Sequence, residues 1–121
     1  MGKIKPDISV FRIITETRGT LFGHLLLGIE EEENPSFKEE RFRATIVNGA
    51  NQREIDLLRQ NPGIKKVYPN DECHIGFHHV TITIPPLSDE ESFGDYCRRV
   101  IGIVAETLQK GSNYRYHIRE N

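Results

Sequence analysis

The sequence predicts an α+β fold, a ferredoxin-like β-α-β-β-α-β sandwich over residues 40–120 with an extra N-terminal β-hairpin over residues 8–30. Two stretches carry helical signals, one opening at Asn51 and a longer one opening near Ser88. The remaining apolar residues alternate or run in short segments rich in β-branched and aromatic types, which suits strands. Gly, Pro and Asn separate these segments, and 121 residues suit a single domain, 1–121, with one core.

The elements follow in order. Residues 8–16, Ile-Ser-Val-Phe-Arg-Ile-Ile-Thr-Glu, form a strand, Thr17-Arg18-Gly19-Thr20 a turn, and residues 20–29 a second strand in which Gly23 and Gly28 argue against helix. Both faces of this hairpin are apolar, so both call for burial: by an edge of the sheet, by its open face or by another subunit. That requirement predicts a homodimer. Glu30–Glu33 with Asn34-Pro35-Ser36 is a charged, hydrated connector.

From residue 40 the pattern is regular. Arg41–Val47 alternates as a strand, and Asn48-Gly49 turns the chain. Asn51 with Glu54 three residues on caps a short helix to about Gln60, which Asn61-Pro62-Gly63 stops. Ile64–Tyr68 is a strand, Pro69-Asn70-Asp71 a turn, and Cys73–Ile84 a long strand. Ser88 with Glu91 reads as a capping box opening the main helix. Its stripe of Phe93, Tyr96, Cys97, Val100, Ile101, Val104 and Leu108 is closed by Lys110-Gly111. Residues 113–119 alternate as the last strand.

Composition excludes some classes. Sixteen basic against eighteen acidic residues give a formal charge of −2, which disfavours a non-specific nucleic-acid binder. Two cysteines, Cys73 and Cys97, without an apolar leader read as reduced thiols in a cytoplasmic protein, and Cys97 belongs to the core. No stretch reaches transmembrane length, so no membrane role is expected.

Strand alternation then sorts side chains by face. Phe42, Ala44, Ile46, Val80, Ile82, Ile84, Tyr114, Tyr116 and Ile118 turn toward the helices. Arg41, Arg43, His79, Thr81, Arg115, His117 and Arg119 turn away, and in ferredoxin-like strand order they share one basic patch. Apolar parity switches at His78-His79, from Ile75 and Phe77 to Val80, Ile82 and Ile84, which predicts a bulge or bend.

Several chemistries fit pieces of this pattern. His74 and His78 share a face of the predicted long strand and are the metal-ligand candidates. A structural site needs a second pair that the sequence does not supply, so no metal and no cofactor is assigned. His79-Val80-Thr81-Ile82 resembles one His-x-Thr/Ser motif of the 2H phosphoesterases. The resemblance implies paired histidines acting on a phosphate ester, with His79, Thr81 and His117 as catalytic candidates; His117-Ile118-Arg119-Glu120 lacks the second hydroxyl. Residues 57–70, with Pro62-Gly63-Ile64, are similar to the helix-to-strand passage of subtilisin propeptide-type inhibitor domains, themselves ferredoxin-like.

The function expected is a small soluble binding or regulatory module. Its ligand-binding face, Arg41, Arg43, His79, Arg115, His117 and Arg119, would take an anionic ligand or a partner protein. The alternative is a phosphoesterase-like or metal-dependent hydrolase using the sheet-face histidines.

Overall fold

Six strands and two helices follow one another: β1 (Ile8–Thr17), β2 (Thr20–Glu31), β3 (Phe42–Ala50), α1 (Gln52–Arg59), β4 (Lys66–His74), β5 (Phe77–Thr83), α2 (Phe93–Lys110) and β6 (Arg115–Arg119). The computed structural model describes residues 8–17, 20–32, 41–111 and 115–119. The turn at Arg18-Gly19, the connector from Glu33, the acidic pair Glu39 and Glu40, and Tyr114 lie outside the described residues. So does the side chain of Arg119.

All pairings are antiparallel, in the order β4-β5-β3-β2-β1-β6. The fold is therefore α+β, but this order does not confirm the ferredoxin-like arrangement. That arrangement needs β6 beside β3, whereas here the β1–β2 hairpin stands between them. The hairpin's own sequence supplies the reason. Ile13, Leu25, Leu27 and Ile29 are at most 3 % exposed, and insertion puts β1 and β2 under α2, which packs on β6, β1 and β2. Burying each such side chain is worth about 1.5–3 kcal/mol. The same core takes Phe42, Ala44 and Ile46 from β3, Val80 and Ile82 from β5, and the α2 stripe from Tyr96 to Leu108.

The helix starts follow different local chemistry. At α1 the predicted box forms: Asn51 Oδ1 accepts the Glu54 N–H (2.9 Å) and Glu54 Oε1 accepts the Asn51 N–H (3.0 Å). At α2 the helix begins one turn later than predicted, with Ser92 Oγ accepting the Asp95 N–H (3.1 Å). Ser88 instead holds a turn by accepting the Glu90 N–H (3.2 Å). Glu91 Oε1 reaches back to the Leu87 N–H (2.9 Å) in place of Ser88, and Arg99 Nε and Nη2 grip the two carboxylate oxygens at 2.9 Å each. Arg41 donates to the carbonyls of Asp89 and Glu91 and stacks on Phe42, 4.3 Å from the ring centre, so the loop before α2 is pinned from two sides.

The turn between β4 and β5 also moves. It lies at Ile75-Gly76, where Gly76 takes a φ of +78°, and Pro69 sits within edge strand β4. An edge strand tolerates the missing proline N–H, and glycine alone enters the left-handed region without strain. The parity switch predicted at His78-His79 coincides with register shifts in both neighbours, between Ile46 and Ala50 on β3 and between Pro69 and Glu72 on β4. Where β3 leaves its register, Asn48 replaces the ladder: Oδ1 accepts the Leu26 N–H and Nδ2 donates to the His24 carbonyl, both at 2.8 Å.

Candidate functional site

Because α1 and α2 cover one face of the sheet, the other face carries the side chains of opposite parity. Register places Arg43, Thr45 and Thr81 there on β3 and β5, Glu30 and Leu26 on β2, Arg12 and Ile14 on β1, and Arg115 and His117 on β6. His79, two residues before Thr81 on β5, shares that parity and is half-buried.

The inserted hairpin pulls this set apart. His79 and His117 are separated by four strand spacings of about 4.8 Å, roughly 19 Å. Two imidazoles so far apart do not meet at one phosphorus atom, since an acid and a base must each reach hydrogen-bond distance of the reacting group. Thr81 accepts a hydrogen bond from Asn70 Nδ2 (2.8 Å), beside His79 but distant from His117. Arg41 leaves the face altogether for the loop before α2. Arg119 lies across from Arg12 in the β1–β6 register.

What remains is two separate ends. At the β3 end Arg43 is paired, to Glu32 at 2.9 Å and Glu30 at 3.7 Å. These are the acidic residues that the sequence placed in a hydrated connector; β2 runs through Glu31 and brings Glu30 opposite Arg43. At the β1–β6 end Arg12 and Arg115 are exposed, and His117 Nε2 stands 3.5 Å from Glu16 Oε2. That nitrogen is buried and makes no hydrogen bond, so the contact is an ion-pair approach without alignment. Between and beside the charges, Val10 (53 % exposed), Val47 (41 %) and Tyr68 (56 %) present apolar surface.

Both edges of the sheet carry obstacles to strand addition. On β4, Pro69 lacks a donor and two register irregularities break the ladder. On β6 a backbone donor, the Tyr116 N–H, is already taken by Gln109 Oε1 (2.8 Å).

The metal candidates separate for a local reason. His74 ends β4 and His78 lies on β5, on opposite arms of the Ile75-Gly76 turn. His78 approaches Glu72 at 3.9 Å, while the His74 ring lies 6.2 Å from that of Phe77. Among the described residues no group of three His, Cys, Asp or Glu side chains gathers to hold a metal ion. Cys97 is buried, which pushes its thiol up to about 11, and Cys73 is exposed with its thiol 3.6 Å from the Phe77 carbonyl. Among the described residues no helix is long and apolar enough to cross a membrane.

One polar cluster was not legible in the sequence. At the start of α1, Tyr116 OH donates to Glu54 Oε2 (3.2 Å) and accepts from Arg53 Nη2 (2.9 Å). Burial, with the Glu54 charge beside it, raises the Tyr116 hydroxyl above its ordinary range. Sequence reading gave Tyr116 an inward direction and Glu54 a capping role, but nothing local joins residues 62 positions apart.

No family model, curated protein or solved structure matches this chain.

Proposed function

We propose that the protein is a soluble, cytoplasmic binding module that docks an acidic protein surface on the uncovered face of its sheet, centred on the β1–β6 end. One observation carries this reading. Arg12, two residues along β1 from the exposed Val10, shares this face with Arg115 and the half-exposed His117 of β6, and Glu16 lies directly across from Arg115. Exposed apolar surface beside a group with more cations than carboxylates suits an acidic protein partner. The obstructed edges support face docking over strand addition. A second copy of the chain, the homodimer reading, uses the same face, but stacking this end on itself sets arginine against arginine.

The test is titration of the protein with polyglutamate at low and high salt. Binding that weakens tenfold or more in Arg12→Glu with Arg115→Glu, and that salt screens, supports the reading. Equal binding by that variant overturns it. A dimer mass in sedimentation, lost in Val10→Asp, would assign the face to a second copy instead.

A further inference from the structure

A second feature lies on the helical side of the sheet, away from the docking face and independent of it. The C-terminal end of α1, the turn after it and the last two turns of α2 flank a hollow of about 370 Å³. Its walls include Leu57, Gln60, Pro62, Ile103, Glu106 and Lys110. That volume lies at the small end of the range for small-molecule sites. A polar tie sets its width. Asn61 Nδ2 donates to Thr107 Oγ1 (2.7 Å), which donates in turn to the Ile103 carbonyl (2.6 Å), while Asn61 Oδ1 accepts the Gly63 N–H (2.8 Å). Those groups are committed to holding the two helix ends together.

The floor is apolar. Leu57 and Ile103 pack against the core yet stay only partly buried, and the sides they leave uncovered line the hollow. Pro62, which is exposed, extends that surface. At one end a Cβ on Gly111 would collide with the Leu57 side chain, so the glycine lets the end of α2 close on α1.

The charged wall carries both signs. Glu106 and Lys110 stand one helical turn apart on α2, with Nζ 3.7 Å from Oε1 and side chains 70 % and 76 % exposed. That separation is too long for a hydrogen bond, and an exposed pair of this kind holds its partners weakly, so both groups can take a ligand. Among the described residues lining the hollow they are the only charged ones. An anion alone would meet Glu106, and a cation alone would meet Lys110. A molecule with both charges on one carbon satisfies each, in an alternating set of four. We propose that this hollow binds a free α-amino acid with an apolar side chain, its carboxylate at Lys110, its ammonium at Glu106 and its side chain against Leu57, Ile103 and Pro62.

The experiment titrates the intact chain with leucine, followed by amide chemical shifts and calorimetry. Three comparisons each remove one feature: leucinamide the carboxylate, 4-methylpentanoate the ammonium, and glycine the apolar side chain. The result expected is saturable binding of leucine, with shifts at Leu57, Ile103, Glu106 and Lys110, and at least tenfold weaker binding of all three comparisons. Lys110→Gln should weaken leucine tenfold or more while leaving leucinamide unchanged. Glu106→Gln should weaken leucine as much while leaving 4-methylpentanoate unchanged. Both substitutions change exposed side chains, so both variants should fold with a Tm close to that of the wild type. The proposal is overturned if leucine does not saturate, if any comparison binds as tightly as leucine, or if either variant binds leucine like the wild type.

Discussion

Both helices start beside a glutamate and an arginine, and the two starts end up physically opposite. Before α2, Arg99 grips Glu91 through two hydrogen bonds of 2.9 Å and adds a third to the Pro85 carbonyl at the same distance, leaving the Glu91 side chain 6 % exposed. Before α1, the Tyr116 hydroxyl stands between Arg53 and Glu54, bonded to both, and a hollow of about 390 Å³ lies beside them. A bidentate pair draws its partners together and closes the space. An interposed hydroxyl satisfies the same groups at greater separation and leaves the hollow beside them.

If that contrast is right, the largest effect belongs to Arg99→Ala. It leaves a buried carboxylate with the Leu87 N–H but without its charged partner, and takes the Arg99 donor from the Pro85 carbonyl; we expect a loss of about 3 kcal/mol in urea unfolding. A loss below about 1 kcal/mol would mean the pair is as weak as an exposed one. The hydrogen bond from Arg99 holds the Glu91 carboxyl below its ordinary value of 4.5. A carboxyl depressed in the folded state contributes its stability above the unfolded value and loses it as pH falls through the lower folded one. Urea midpoints should therefore drop on acidification below about pH 4.5, and drop less in Arg99→Ala.

Gly49→Ala comes next. Its φ is +97°, and the added Cβ would stand 2.7 Å from Cys73 Sγ and 3.0 Å from Phe77 Cβ, at the wall of the hollow. We expect about 2 kcal/mol of destabilisation from the combined strain and contact. Tyr116→Phe removes the bridge between Arg53 and Glu54 and should cost about 1 kcal/mol, measured the same way. Its pocket cluster should show a smaller loss than Arg99→Ala; an equal loss would erase the difference between the two starts. Gly23→Val should be the mildest, between no change and a gain of about 1 kcal/mol, since it adds a strand-favouring side chain into open space.

Particular residues explain what was readable in the sequence. The α2 stripe from Tyr96 through Leu108 is buried as its spacing predicts, because a helix turns at a fixed angle per residue whatever surrounds it. The Asn51–Glu54 box formed because both partners lie within one turn. Ser88–Glu91 has the same spelling and became a turn, with the Glu91 carboxylate taken by the Leu87 N–H and by Arg99, eight residues away. The turn placed at Pro69-Asn70-Asp71 formed instead at Ile75-Gly76, since proline is also admitted within an edge strand and nothing local marks β4 as an edge. The basic patch failed to gather for a related reason. Side-chain parity was right for His79 and His117, while their separation depended on which strands lie between them.

The amino-acid order by itself determined the elements and the direction most side chains face, since those follow from periods of 3.6 and 2 and from caps a few residues long. Tertiary structure alone decided that the N-terminal hairpin lies between β3 and β6, that Arg99 takes Glu91, and that Tyr116 meets Glu54. Backbone hydrogen bonds between strands are alike for every residue type but proline. Strand neighbours are therefore chosen by which arrangement buries the most apolar surface across the whole chain, and no local stretch records that choice.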